Sequence, residues 1–147
     1  MAPVVGIVLV SHSERLAFGL LDLLRQLVGQ RVPVFVAAGT EDGGIGTSDQ
    51  LIRDAIARAQ HGAGVVVLAD LGSAVLTVLT VLEDTPATTG PGAAPGAVLV
   101  DAPIVEGAVA AAVTAGTGAD LPAVIAAAEQ ARQFRKLPDP PPVRAGG

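Results

Sequence analysis

The sequence predicts an α/β protein with a single open, mainly parallel sheet in strand order 2-1-3-4 and helices on both faces. Short, continuous runs of branched apolar residues alternate with longer stretches of helical periodicity. Half of the residues are hydrophobic while only 2% are aromatic, which is typical of a parallel sheet covered on both faces. Strand–helix alternation of this kind favours parallel strands joined by right-handed crossovers.

Each predicted element has a local signal. The strands are continuous apolar runs at 4–10, 32–38, 64–69 and 97–100. The helices are predicted at 14–28, 49–61, 74–83, 104–115 and 121–134. Ser13 is a plausible N-cap of the first helix, Gly29 its stop, and Thr47 or Ser48 caps the second. Residues 70–73 predict a tight turn before the third helix, which is apolar almost all round.

The length predicts one domain. We assign residues 1–135 to it, since 147 residues fit a single core. Within it, 84–96 is interpreted as a flexible insertion without chemistry, and 136–147 as a disordered, proline-rich tail. The glycine-rich loop 39–48 is predicted to be either functional or a mobile connection.

Composition excludes several function classes. The net charge is −5 with a single lysine, Lys136, so the sequence predicts no nucleic-acid or anionic membrane surface. Cysteine is absent, which excludes disulfides and thiolate metal sites. The first apolar run is too short for a membrane span and lacks the features of a signal peptide. We therefore expect a cytoplasmic protein, and the mean hydropathy of +0.57 suggests that oligomerisation hides apolar surface.

Polar residues follow the first and third strands. Ligands of open parallel sheets bind beyond the carboxyl ends of the strands, where the strand order reverses. For the predicted order this point lies between those two strands, directly before two helix N-termini that favour anions. His12 and Asp70 are the predicted catalytic pair there, and Ser13, Gly72 and Ser73 are predicted to bind phosphate.

A histidine and an aspartate in one crevice suit phosphoryl transfer. A neutral imidazole is nucleophilic near neutral pH, and a carboxylate that accepts its other N–H fixes the tautomer. Gly39 and Gly72 would keep the pocket floor open for a partner's phosphohistidine, and Thr47 is a further phosphate-binding candidate. No metal is needed if the donor is an activated phosphoramidate.

Simpler interpretations exist for each of these residues. Ser11-His12-Ser13 also fits a capping turn with an exposed imidazole, and Asp70 fits a plain N-cap turn. His61, the other histidine, is predicted to be structural, at the last turn of its helix. The joint occurrence of the two motifs at one predicted crevice favours function over these alternatives.

The ordered motifs resemble a known family. They resemble the mannose-type IIA domains of the phosphotransferase system, and more closely the phosphotransferase (DhaM-type) subunits of phosphoenolpyruvate-dependent dihydroxyacetone kinases. The matching stretches span about 4–132 and are GIVLVSHS (6–13), AAGT (37–40), GIGT (44–47), DLGSA (70–74) and APIVEGAVAAA (102–112).

The resemblance implies a phosphohistidine carrier and its partners. His12 would take phosphate from the carrier protein HPr, with Asp70 as the carboxylate beside it. It would pass the phosphate to ADP held on a DhaL-type subunit, which then phosphorylates dihydroxyacetone on a DhaK-type subunit. The chain would need no cofactor of its own, since ADP and Mg are expected on the partner subunit. A homodimer is also implied, in agreement with the apolar third helix.

Three alternatives stay open at this point. A mannose-type sugar-transport IIA domain would pass phosphate to a IIB partner instead. A receiver-type domain would be phosphorylated on Asp70, but it would need acidic residues after the first strand and a lysine near the site. A non-catalytic scaffold module would use the apolar helix and take up no phosphate.

Overall fold

The computed structural model describes residues 2–40, 42, 44, 46–85, 90–144 and 146. Its strands and helices alternate from the N-terminus. They are β1 (Gly6–Ser11), α1 (Glu14–Val28), β2 (Val34–Ala38), α2 (Asp49–Ala59), β3 (Val65–Ala69), α3 (Gly72–Asp84), β4 (Ala97–Leu99), α4 (Ile104–Gly116), α5 (Leu121–Gln130) and a 3₁₀ turn (Ala131–Gln133).

The four strands form one parallel sheet in the order β2-β1-β3-β4, which confirms the predicted fold and strand order. β1 and β3 are adjacent and central, with Val10 opposite Ala69 in the register. Both strands are buried on both faces, which explains their continuous rather than alternating apolar sequences. The carboxyl ends of β1 and β3 therefore lie side by side.

Two apolar layers cover the sheet. Ile7 and Leu9 of β1 belong to the layer formed with α1, α4 and α5, whereas Val8 and Val10 belong to the layer formed with α2 and α3. This division follows from the alternation of side chains along a strand. Helix α4 approaches the sheet closely at Gly107, where a Cβ would lie 2.8 Å from the side chain of Leu68.

Several predicted boundaries are wrong by a turn or less. Helix α3 begins at Gly72 rather than Ala74, so the predicted four-residue turn is shorter and Gly72 and Ser73 are helical. Helix α2 ends at Ala59, with Gln60 as its C-cap. His61 is thus exposed beyond the helix rather than in its last turn. The last helix ends at Gln130 and continues only as the 3₁₀ turn.

The predicted insertion and tail are partly described. Residues 86–89 of the insertion 84–96 lie outside the described residues, and Asp84 is the last residue of α3. In the tail, residues 136–144 form no helix or strand, while 145 and 147 lie outside the described residues. Lys136 in this segment pairs with Glu106 of α4, with Nζ 2.8 Å from Oε1. The flexibility of the insertion and the disorder of the tail stay predictions.

Candidate active site

His12 and Asp70 meet where β1 and β3 end. His12 directly follows β1, Asp70 directly follows β3, and His12 Nδ1 lies 2.9 Å from Asp70 Oδ1. The histidine side chain is 19% exposed and the aspartate side chain 10% exposed. The ring is therefore fixed by a mostly buried carboxylate but is still open to a partner.

The Asp70 carboxylate accepts four hydrogen bonds. Oδ1 accepts from His12 Nδ1 and, at 2.8 Å, from the amide of Leu71. Oδ2 accepts from the Ser11 hydroxyl at 2.9 Å and from the His12 amide at 3.0 Å. Burial raises the pKa of Asp70, but the bonds from the His12 amide and ring, the Ser11 hydroxyl and the Leu71 amide outweigh it. The pKa of Asp70 therefore lies below its ordinary value, and the group is a carboxylate at neutral pH.

An ionised Asp70 fixes the tautomer of the neutral His12 ring. A carboxylate only accepts hydrogen bonds, so Nδ1 carries the ring proton and Nε2 carries the lone pair. Nε2 lies 2.6 Å from Ser73 Oγ, so the Ser73 hydroxyl donates to it. The nucleophilic nitrogen thus faces Ser73 at the first turn of α3.

Helix α3 begins beside the His12 ring, and its N-terminus has no side-chain cap. Its N-cap residue, Leu71, offers no side-chain hydrogen bond, and its first turn holds no acidic residue. Within the described part of the chain, the amides of Gly72 and Ser73 have no partner, and both residues are exposed. These amides and the Ser73 hydroxyl are hydrogen-bond donors at a helix N-terminus next to Nε2, which is the arrangement that favours an anion.

Ser13 and Ser11 have local bonds in the turn that leads into α1. The Ser13 hydroxyl accepts from the Leu16 amide at 3.3 Å, as an N-cap does. The Ser13 amide donates to Ser11 Oγ at 3.1 Å, so only the hydroxyl hydrogen of Ser13 is left for phosphate. Sequence reasoning did not select Ser11; a small polar residue at the end of a buried strand was the available signal.

The glycine-rich loop lies against the same turn. The Gly39 amide donates to the Ser11 carbonyl at 3.0 Å, and the Gly46 amide donates to the His12 carbonyl at 3.3 Å. Gly39 has φ +69°, and a Cβ there would meet the Gly44 carbonyl oxygen at 2.7 Å. Gly39 therefore shapes the turn without offering its amide to a ligand. Residues 41, 43 and 45 of the loop lie outside the described residues.

Thr47 is directed toward α3 rather than toward the ring. Its Oγ1 lies 3.1 Å from Thr77 Oγ1, and Thr77 donates its own hydrogen to the Ser73 carbonyl. Thr47 must then be the donor of the pair, because a hydroxyl has one hydrogen. The contact joins the loop to α3 one turn beyond Ser73. A role for Thr47 in phosphate binding stays a prediction.

The described residues contain neither a cluster of metal ligands nor an apolar helix of membrane-spanning length. No group of three or more histidine or acidic side chains is placed to hold a metal ion. No helix within the described ranges is long and apolar enough to cross a membrane.

A family model decides the classification. The model described as "PTS system fructose IIA component" (EIIA-man) matches residues 6–125, which include both His12 and Asp70. The chain belongs to the EIIA-man family. The domain thus shares its family with phosphotransferase-system components, as the resemblance implied.

Relatives of this EIIA-man domain confirm the expected DhaM type. It is 38% identical over 111 residues to "PEP-dependent dihydroxyacetone kinase 2, phosphoryl donor subunit DhaM" of Listeria innocua, covering 74% of this chain and 84% of that one. A Lactococcus lactis phosphotransferase subunit DhaM is 32% identical over 119 residues, 81% of this chain and 89% of the relative. The Escherichia coli subunit is 38% identical, but the chain spans only 28% of that longer protein.

Solved structures share the fold. The crystal structure of the unknown function protein EF1359 superposes with a TM-score of 0.74 at 34% identity, covering 86% of this chain and 93% of that one. A sigma-54 interaction domain protein from Enterococcus faecalis gives a TM-score of 0.63 at 16% identity, over 90% and 93%. The second likeness concerns the fold alone.

Proposed function

We propose that this EIIA-man domain is a phosphohistidine carrier of a dihydroxyacetone kinase. It accepts a phosphoryl group from the phosphohistidine of HPr on His12 Nε2. It then passes the group to ADP on a DhaL-type subunit, which serves a DhaK-type subunit that binds dihydroxyacetone. Since these partners are soluble phosphotransferase components, the proposal places the domain in the cytoplasm.

One observation carries the proposal. Asp70 Oδ1 holds His12 Nδ1 at 2.9 Å, while Nε2 faces Ser73 at the incomplete N-terminus of α3. A nucleophile, the carboxylate that orients it and a set of N–H and O–H donors thus lie within one turn of each other. This is the combination that phosphoryl transfer through histidine requires.

The transfer step breaks the N–P bond of the donor and forms a new N–P bond at His12 Nε2. The Nε2 lone pair attacks the phosphorus as the donor N–P bond breaks, and the donor imidazole leaves with that electron pair. The ring keeps its Nδ1 proton throughout, so phosphorylation creates a positive ring whose N–H still donates to Asp70. The Ser73 hydroxyl turns from Nε2 to a phosphoryl oxygen, and the Gly72 and Ser73 amides bind the others. Asp70 thus stabilises the charge that develops on the ring.

The choice of acceptor rests on the names of the relatives. The Listeria innocua and Escherichia coli proteins are phosphoryl donor subunits of dihydroxyacetone kinases, and this supports ADP on a partner subunit as the acceptor. The EIIA-man family as a whole is broader. A IIB protein is therefore the acceptor to test against it.

The outer face of α3 supports self-association. Leu76 is 68% exposed and Leu79 43% exposed, and large aliphatic side chains on one helix face favour burial in an interface. We propose a homodimer through this face. Sedimentation equilibrium should show a dimer for the wild type and a monomer for Leu76→Glu, which places a charge in the interface. A wild-type monomer at micromolar concentration would contradict the homodimer.

Radioactive labelling tests the carrier role. The wild type, incubated with labelled phosphoenolpyruvate, enzyme I and HPr, should gain an acid-labile, alkali-stable phosphate. His12→Ala should abolish labelling, because the nucleophile is lost. His61→Ala is the matched control and should label like the wild type, since His61 is exposed and lies outside the site.

The labelled chain then identifies the acceptor. Mixed with an ADP-loaded DhaL-type subunit, it should lose its label to the nucleotide. Transfer to a IIB protein instead would identify a sugar-transport domain. Labelling that persists in folded His12→Ala would end the proposal.

A further inference from the structure

Ser11 is the one fully buried polar or charged side chain in the described part of the chain, with 0% exposure. It is the last residue of β1 and pairs with Ala38 of β2. A buried hydroxyl is costly unless it is hydrogen-bonded. The partners of Ser11 therefore indicate why a polar group is tolerated at this point of an apolar sheet.

Both partners of the Ser11 hydroxyl belong to the active site, and they fix its direction. Asp70 is a carboxylate and only accepts, so Ser11 Oγ donates to Oδ2 at 2.9 Å. The Ser13 amide only donates, and it reaches Oγ at 3.1 Å. The hydroxyl thus connects the turn before α1 to the carboxylate that follows β3.

The Ser11 bond restrains one particular motion. Asp70 Oδ1 binds the His12 ring and the Leu71 amide, while Oδ2 binds Ser11 and the His12 amide. Without Ser11, Oδ2 would keep a single donor, and solvent does not reach the Ser11 position to replace the other. The carboxylate plane could then rotate, which would lengthen the Oδ1 bond to Nδ1.

We propose that Ser11 is a positioning residue for phosphoryl transfer: its buried hydroxyl holds the Asp70 carboxylate in the plane that keeps the proton on His12 Nδ1 and the lone pair on Nε2. This rests on the proposed function only for the transfer itself. The orientation of the unphosphorylated ring follows from the hydrogen bonds alone.

A purely structural role makes a different prediction. If the Ser11 hydroxyl serves only to accept a hydrogen bond from the Ser13 amide at the start of α1, its loss would lower the stability of the fold and leave the His12 tautomer unchanged. If it orients Asp70, the tautomer and the transfer rate must change together. Outer partners of metal-bound histidines provide the scale, since their loss costs about 10- to 100-fold in activity.

The test uses four variants of the full chain. Ser11→Ala removes the hydroxyl, Ser11→Cys keeps the side-chain volume with only a weak donor, and Ser11→Thr keeps the hydroxyl. Thr85→Ala is the control, since it deletes a hydroxyl that donates to the Val81 carbonyl at 2.8 Å, at the far end of α3 from the active site. Thermal unfolding of each variant reports whether it folds.

Two readouts are recorded on each folded variant. ¹⁵N NMR of the unphosphorylated chain gives the share of the Nδ1–H tautomer of His12, with His61 as an internal reference in the same spectrum. Initial labelling by phospho-HPr gives the transfer rate. We expect Ser11→Ala and Ser11→Cys to lose Nδ1–H share and about tenfold in rate, while Ser11→Thr and Thr85→Ala keep both near wild-type values.

The outcomes separate the two proposals. An unchanged His12 tautomer in folded Ser11→Ala or Ser11→Cys overturns the positioning role, whatever the rate does. If the wild type takes up no phosphate while the tautomer still shifts in these variants, the carrier proposal fails and the orienting role of Ser11 stands.

Discussion

Helices α1 and α3 both begin beside His12, but their N-termini differ. The α1 terminus has its own acceptor, the N-cap hydroxyl of Ser13, and its own anion, Glu14 in the first turn. At the α3 terminus, Leu71 makes no side-chain cap and the first turn holds no acidic residue. The carboxylate of Asp70 precedes the cap and accepts only from the Leu71 amide, so the amides of Gly72 and Ser73 stay unpaired within the described residues. The helix with the incomplete terminus is the one that His12 Nε2 faces.

The difference indicates a division of labour. A helix N-terminus with free amides attracts an anion, and a side-chain cap or carboxylate satisfies that demand internally. Helix α1 therefore supports the turn that carries His12, whereas α3 gives up the stability of a cap and keeps its donors for an external group.

The largest effect is expected where the two helix starts are joined. Asp70 accepts from the His12 amide before α1 and from the Leu71 amide before α3. Asp70→Asn keeps the shape but removes the negative charge that stabilises the phosphorylated ring, so phosphoryl uptake should slow by about 10²-fold. Initial labelling rates check it. Asp101→Asn, which alters an exposed carboxylate paired with Arg132, should be labelled at the wild-type rate. Labelling of Asp70→Asn at the wild-type rate would show that the charge of Asp70 does not stabilise the phosphorylated ring.

Gly72→Pro removes a single amide donor from the α3 terminus. Proline is tolerated at the first helical position, and Leu71 already has the extended conformation that precedes proline (φ −130°, ψ 163°). A Cβ at Gly72 would meet no atom within 4 Å beyond its two chain neighbours. We expect folding to be retained and labelling to slow about tenfold, the loss of one donor to a charged group.

The matched comparison for that variant is Gly72→Ala. It keeps the amide and adds a methyl group in open space, so it should label much faster than Gly72→Pro. Equal rates for the two would show that the Gly72 amide does not bind the phosphoryl group.

Leu71→Ser and Leu71→Asp would make the α3 terminus resemble that of α1. Either side chain supplies an N-cap, so the free energy of unfolding should rise by about 1 kcal/mol for serine. In both variants the new cap occupies an amide at the start of α3 that would otherwise bind the phosphoryl group, so labelling should slow. Leu71→Asp should label severalfold more slowly than Leu71→Ser, because its negative charge also repels the incoming phosphoryl group. Denaturant unfolding measures the free energy of unfolding, and initial labelling by phospho-HPr measures the rate of phosphoryl uptake. Equal labelling by both variants would contradict a charge effect at this terminus.

The smallest effect is expected in the acid stability of the Asp70 cluster. The pKa of Asp70 is lower in the folded chain than in the unfolded chain because four donors outweigh the cost of burial. Its stabilising contribution is therefore complete above the ordinary aspartate pKa of about 3.9 and is lost as the pH falls through the lower folded value. The difference in unfolding free energy between the wild type and Asp70→Asn should shrink with acidification. A difference independent of pH would contradict it.

The sequence sufficed to predict the strand order and the meeting of His12 with Asp70. Continuous apolar strands and alternating helices determine a parallel sheet, and a parallel sheet brings the residues after its central strands together. The ring nitrogen left free by Asp70 was not predictable, because it depends on which of the two nitrogens of His12 the carboxylate reaches. The start of α3 was placed two residues late, since Gly72 and Ser73 also fit a turn.

Other details depend on bonds that no local pattern specifies. The Gly39 amide is used by the Ser11 carbonyl, and the Thr47 hydroxyl by Thr77. Gly39 was predicted to keep the pocket floor open at the phosphate site, and Thr47 to bind phosphate; both roles stay predictions. Ser11 was passed over because a serine at a strand end usually belongs to the turn. In each case the partner comes from another element and is known only once the elements have packed.

The separation of His12 and Asp70 along the chain, 58 residues, ties chemical competence to folding. Their contact needs β3 to join β1 after the chain has crossed over through β2 and α2, a closure that costs entropy and is repaid only by the finished sheet. A nascent chain that has not yet reached β3 contains the histidine without its carboxylate. Under the proposed function, such a chain would be a poor phosphoryl acceptor, because no carboxylate would yet hold the proton on His12 Nδ1.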